Sequence, residues 1–255
     1  MDSLPTNTAP APGVRLRALL RASRGRPDGL WRHRDFMRLW SGQAVSKLGS
    51  TITREALPYT AILALGASPA QMGLLGAAGA APLLLIGLLA GVWVDRLRRR
   101  PIMIAADVGR ALLLLSIPLA YLLGALRIEQ LYLVAALAGV LTVFFDVAYQ
   151  SFLPTLVERE QIAKGNGKLA VSDSIAEIAG PPLGGTLVQL ISGPATALLD
   201  ALSFLFSACA LARIRAVEPP PAPPAERQRA GRDLADGLRA IRADPLLHAM
   251  AAGSA

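Results

Sequence analysis

Reactive side chains are scarce in this chain of 255 residues, which has one cysteine, Cys209, and two histidines, His33 and His248. A lone cysteine rules out an intramolecular disulfide, and because Cys209 lies in an apolar run it says nothing about redox compartment. The two isolated histidines offer neither a metal-ligand cluster nor a Ser/His/Asp set. Gly165-Asn166-Gly167-Lys168 lacks the upstream strand and spacing of a phosphate-binding loop. No enzyme and no ATP-driven pump is expected. Charge is also sparse: Asp, Glu, Lys and Arg make up 17% of the residues against 53% hydrophobic, too few for an ordinary soluble domain of this length. The first 35 residues have no apolar core between their basic residues, so a cleaved secretion signal is not expected.

The charges that are present are unevenly placed. Net charge is +8, and 22 of the 26 Lys and Arg residues fall in four segments: Arg15 to Arg38, Arg96 to Arg100, Arg159 to Lys168, and Arg213 onward. The basic tail lacks interleaved aromatics, so nucleic acid is not the expected partner. Between these segments lie six apolar windows: Leu39–Leu65, Ala70–Val94, Ile102–Leu126, Gln130–Leu153, Leu169–Ile191 and Pro194–Arg213. Each is long enough to cross hydrocarbon, which takes roughly 20 residues as helix. Short cationic turns mark the cytosolic side of a membrane, and the four basic segments share one side if the spans alternate. The expected fold class is therefore an all-α membrane protein, a six-helix transmembrane bundle, with the N-terminus cytoplasmic.

The expected organisation is a disordered basic cytosolic tail over 1–35, the six-span bundle over 36–213, a cytosolic linker over 214–245 and the start of a seventh span over 246–255. An amphipathic surface helix around Val14 to Leu20 is an alternative for the tail. The linker opens on Glu218-Pro219-Pro220-Pro221, which cannot be helix, and continues into Glu226 to Ala243, where Leu234, Leu238 and Ile241 recur at helical spacing. Glycine pairs at GxxxG spacing, Gly87 with Gly91 and Gly180 with Gly184, predict close helix packing, with Gly73, Gly76 and Gly79 upstream of the first pair.

Charged residues inside spans are the functional pointers, since each costs roughly 2.5–3.5 kcal/mol at a helix centre and needs partners or water. Arg54 and Glu55 sit near the middle of the first window, just before Pro58, which can kink the helix and open a polar cavity. Glu55 is favoured as a proton carrier for its depth. Asp173 and Glu177 share a face of the fifth window at i, i+4, and Asp200 stands on the sixth; these complete the candidate substrate and proton pathway. Asp107 and Arg110, three apart, read as a local structural ion pair. Asp146 has no cation near it in sequence, so a contact from Arg99 of the arginine turn is expected, forming a latch that breaks as the bundle rocks.

Two motifs carry a resemblance. Gly91-x-x-x-Asp95-Arg96-x-Arg98-Arg99-Arg100 is similar to the G-x-x-x-D-R-x-G-R-R loop between helices two and three of the major facilitator superfamily, with Arg98 in place of a glycine. Gly180-Pro181-Pro182-Leu183-Gly184-Gly185 is similar to the G-P-x-x-G-G of the helix-five antiporter signature, with Gly167 at the distant glycine and Ala176 at the middle one. The resemblance is to the branch that includes enterobactin exporters and macrolide efflux proteins. It implies that Gly91, Asp95, Arg96, Arg99, Arg100 and Asp146 form a conformational latch, and that Gly180, Pro181, Gly184 and Gly185 belong to an exporter motif. It also implies a proton gradient as the energy source with no cofactor, an amphipathic small-molecule substrate, and a multi-pass protein of the inner (plasma) membrane. Family members have twelve or more spans, so the chain reads as an N-terminal half whose partner is the missing C-terminal six-helix half or a second copy, with membrane lipids around it. A nutrient uptake carrier, and a six-span protein acting as a homodimer or regulator, are the alternatives.

Overall fold

The computed structural model describes residues 29–94, 96–216 and 218 of the chain. A single helical turn, Gly29–Arg32, leads into six long helices: α1 (Arg34–Leu65), α2 (Pro69–Val94), α3 (Arg99–Leu122), α4 (Ile128–Leu156), α5 (Arg159–Ile191) and α6 (Gly193–Ala212). Nearly all of the expected basic tail, the amphipathic helix Glu226 to Ala243 and the seventh apolar run lie outside the described residues.

Local chemistry sets the helix boundaries. His33 caps α1, its Nδ1 accepting the Phe36 N–H at 3.1 Å. At the other end Gly66 takes φ 62°, a left-handed conformation that suits a residue without Cβ, and its N–H closes the helix on Ile62 O. Ser68 and Gln71 form a reciprocal capping box ahead of Pro69 in the first turn of α2. Ser192 alone joins α5 to α6, at φ 87°, a strained value for a residue with a side chain.

Several helices run past the apolar windows. The segment Pro154 to Lys168, expected as a cytosolic connection, is helical except at Val157 and Glu158: α4 continues to Leu156 and α5 begins at Arg159. Polar helix ends that project beyond hydrocarbon cost nothing in solvation, so hydropathy marks the membrane layer and not the end of the helix. Pro69–Gly87 within α2, together with α3, α4 and α6, are long and apolar enough to cross a membrane. α1 and α5 are as long, but each carries six Asp, Glu, Lys or Arg residues.

α6 packs between α1 and α3, α4 packs on α3 and α2, and α5 packs on α1. Two apolar cores result. One, at the end bearing the arginine turn, is built on Phe36, Met103, Phe145, Phe152 and Leu211. The other, towards the opposite end, is built on Leu114, Ile117, Leu131, Ala197 and Phe204. Between them lies a buried polar layer that includes Thr51, Thr53, Asp107, Arg110, Asp200, Ser203 and Ser207. The Gly180 and Gly184 pair seats α5 on α1: a Cβ at Gly180 would collide with Thr51, and one at Gly184 would lie 2.9 Å from Ile52 O. Gly87 and Gly91 of α2 meet no neighbour within 4 Å, so the expected close packing at that pair is not made among the described residues.

Candidate functional site

A cavity of about 570 Å³ lies where α1 stands apart from α2 and α4. Its walls are largely apolar, with Leu57 and Pro58 from α1, Leu75 from α2 and Val134 from α4. Small residues, among them Gly76, Gly79, Ala135 and Gly139, leave the space that larger ones would fill. α3 contributes Arg110 and Leu114, and α6 contributes Asp200 and Phe204.

Arg110 is 5% exposed, an exceptional position for a guanidinium, and four kinds of contact offset its burial. It pairs with Asp107 one helical turn back. Thr142 Oγ1 of α4 accepts from it at 3.3 Å. Two aromatic rings sandwich it, Phe145 of α4 at 4.6 Å and Phe204 of α6 at 4.1 Å. Asp146 and Asp200 also lie within its electrostatic reach. The expected local pair Asp107–Arg110 is thus present, and it also ties α3 to α4 and α6 in the wall of the cavity.

Asp200 is 2% exposed and has no ion-pair partner among the described residues. Its Oδ1 accepts from Ser203 Oγ at 2.9 Å, and Gly49 of α1 leaves room for it, since a Cβ there would strike both side chains. Arg54 lines the same cavity with an exposed side chain. Glu55, the residue favoured for its depth, does not line it. It turns towards α5, where its Cβ lies 3.1 Å from the position a Cβ at Gly184 would take. Asp173 and Glu177 are exposed on α5. Lys47 of α1 acts on both Asp173 and Asp146, bridging α5 and α4 electrostatically.

The arginine turn has different partners from those expected. Asp95 lies outside the described residues. Arg99 pairs with Glu218 at 3.8 Å and not with Asp146. Glu218 also accepts the backbone N–H groups of Arg99 and Arg100, supplying the carboxylate that the first turn of α3 lacks. Unpaired N–H groups and the positive end of the helix dipole favour an anion there, which explains the preference. Arg100 donates to Leu211 O at 2.9 Å and to Ala212 O, so its cation meets the negative end of α6. Arg96 is exposed and Gly91 half-buried. Asp146 instead lies within the electrostatic reach of Arg110 and Lys47.

Sequence reasoning missed the enclosure of Arg110, the pairing of Glu218 and the role of Lys47. The available signals were a charged i, i+3 pair flanked by apolar turns on both sides, and the first acid after the sixth window.

The family profile of the Major Facilitator Superfamily matches residues 39–255. The chain belongs to that superfamily. It is 29% identical over 213 residues to the uncharacterised transporter YfiS of that family from Bacillus subtilis, covering 83% of this chain and 50% of that one. It is also 29% identical over 213 residues to the multidrug efflux pump Tap of Mycolicibacterium fortuitum, covering 80% of this chain and 51% of the pump. With macrolide efflux protein A of Streptococcus pyogenes it shares 29% identity over 182 residues, 71% of this chain and 44% of that protein. The chain thus spans about half the length of the curated relatives it matches. As a member of this transporter superfamily it is a multi-pass membrane protein, and its environment is lipid.

Proposed function

We propose that the chain is the N-terminal half of a secondary exporter that exchanges protons for small amphipathic molecules, drug-like or siderophore-like, across the inner membrane. All six helices cross the bilayer in this reading, α1 and α5 included, with the arginine-rich ends and the N-terminus in the cytosol. The polar faces that keep α1 and α5 below the hydropathy of the other four are then turned to the transport path and not to lipid. The observation that carries the reading is the apolar cavity with buried Arg110 and Asp200 in its wall, in a chain of this superfamily.

Transport proceeds by rocking between inward-open and outward-open states against a second six-helix half. Arg54 and Asp200 line the substrate and proton pathway; Glu55, Asp173 and Glu177 lie along its α1–α5 side. Gly91, Asp95, Arg96, Arg99, Arg100 and Asp146 form the latch on the cytosolic side, with Arg99 held by Glu218 in one state and released in the other. Gly180, Pro181, Gly184 and Gly185 let α5 slide on α1. The relatives named as efflux pumps favour export over uptake.

The test is dye accumulation in cells expressing the chain joined to its second half, with and without a protonophore. Efflux driven by protons predicts low accumulation that rises several-fold when the gradient collapses. Accumulation that is unchanged, or that falls, contradicts the proposal.

A further inference from the structure

At the end of the bundle that bears the arginine turn lies a second cavity, of about 290 Å³, lined by His33, Arg34, Asp35 and Arg38 where α1 begins and by Arg215 just after α6. Its one carboxylate is spent on its neighbours: Asp35 Oδ1 accepts from Arg38 at 2.7 Å and Oδ2 from the Arg215 N–H at 3.1 Å. Arg38 uses Nη1 alone, for Asp35 and for Arg213 O at 2.6 Å, so Nε and Nη2 remain as donors. Arg34 and Arg215 are exposed, and neither side chain forms an ion pair among the described residues. His33 adds a further donor, because Nδ1 accepts the Phe36 N–H and leaves the ring proton on Nε2. Three guanidinium groups against one carboxylate leave the lining with an excess of positive charge and open N–H groups. That is the chemistry that recognises a phosphate ester.

Depth and surroundings point to the phosphate of a lipid. Arg34 precedes the apolar window that opens at Leu39 by about 7 Å of helix, and the headgroup layer on each side of the hydrocarbon is about 5–7 Å thick. Arg215 stands at the same edge, three residues past the end of α6. Trp31, 51% exposed, lies beside these residues in the preceding helical turn, and tryptophan is the side chain that membrane proteins place at headgroup level. On α6 the exposed residues Leu202, Phe206 and Cys209 share one face and lead to Arg213, an apolar lane for an acyl chain that ends where Arg38 holds the Arg213 carbonyl.

We infer that this cavity holds the headgroup of an anionic phospholipid, its phosphodiester meeting the guanidinium groups of Arg34, Arg38 and Arg215. The site requires α1 and α6 to enter the membrane at these ends, and it does not depend on what the protein transports or in which direction. The chain, purified in dodecylmaltoside, is titrated with radiolabelled dioleoylphosphatidylglycerol and, separately, with dioleoylphosphatidylcholine. Phosphatidylglycerol is expected to bind saturably, and phosphatidylcholine, whose choline brings a positive charge back to the site, at least about tenfold more weakly, a difference of 1.4 kcal/mol. Arg34→Gln with Arg215→Gln should bring phosphatidylglycerol down to the level of phosphatidylcholine. Arg98→Gln with Arg127→Gln, which removes two charges from exposed positions away from the cavity, should leave binding unchanged. Inorganic phosphate in large excess, at constant ionic strength, should leave the lipid bound. Equal affinity for the two lipids, or equal loss in the two double variants, would overturn the inference by reducing it to general attraction to a basic protein. Displacement by phosphate would overturn it by assigning the cavity to a soluble anion. Should the Arg34 and Arg215 variant fail to fold, the two lipids and the phosphate competition on the unaltered chain still decide. No transport is read, so a failed efflux assay leaves this site standing, and absence of lipid binding leaves the transport proposal standing.

Discussion

Arg110 and Asp107 illustrate what a membrane interior demands of single residues. The guanidinium is held by one carboxylate, one threonine hydroxyl and two phenylalanine rings, from three different helices. Removing one partner of a buried pair strands the other, at a cost of about 3–5 kcal/mol, whereas replacing both with apolar residues of similar size is often neutral. Arg110→Ala and Asp107→Ala should therefore each lower stability by about that amount, and the double change Asp107→Leu with Arg110→Met should recover most of it. Thermal unfolding of the purified chain in detergent checks this. Additive losses in the double variant would show that the pair is not the stabilising unit. The spacing of these two residues is legible in the sequence, because i, i+3 places them on one face of any helix. Their aromatic partners are not, since nothing local in α3 indicates that Phe145 and Phe204 close over the guanidinium.

The helices themselves are joined by backbone approach as much as by side-chain packing. α5 lies against α1 because Gly180 and Gly184 present no Cβ to Thr51 and Ile52, while the similarly spaced Gly87 and Gly91 on α2 face open space. Two substitutions of the same kind should then have opposite outcomes. Gly180→Val should overpack the α1–α5 contact and cost about 1–3 kcal/mol or more, lowering the midpoint of thermal aggregation measured by size-exclusion chromatography; Gly87→Val should leave that midpoint in place. Equal effects would mean that α5 is not seated on α1 through these glycines. The existence and order of the six helices follow from the apolar windows, because lipid-facing and core positions are both apolar and leave a continuous signal. The polar extensions of α4 and α5 escape that signal, since they carry no apolar run to betray them. The partner of Arg99 escapes it for another reason: the choice between Asp146 and Glu218 depends on which acid reaches the open N–H groups at the start of α3, a fact of three-dimensional placement.

Across the whole molecule, two apolar cores enclose a polar layer, and the outer surface is apolar too. Leu84 is 82% exposed, Leu122 81% and Ile178 79%, values expected where lipid or another membrane-embedded surface replaces water. α6 lies at the centre, with α5 on one flank and α2 on the other, and Gly87 and Gly91 of α2 have no neighbour within 4 Å among the described residues. The proposed transport path and cytosolic latch require that all six helices cross the bilayer, including the two with polar faces. Cysteine accessibility in intact cells tests this most directly. In a Cys209→Ala background, single cysteines at Ser68, Ala125 and Ile191 should react with a membrane-impermeant maleimide from outside. Cysteines at Arg34, Leu97 and Glu158 should react only after the membrane is permeabilised. Labelling of positions 34 and 68, or of 158 and 191, from the same side would contradict the account.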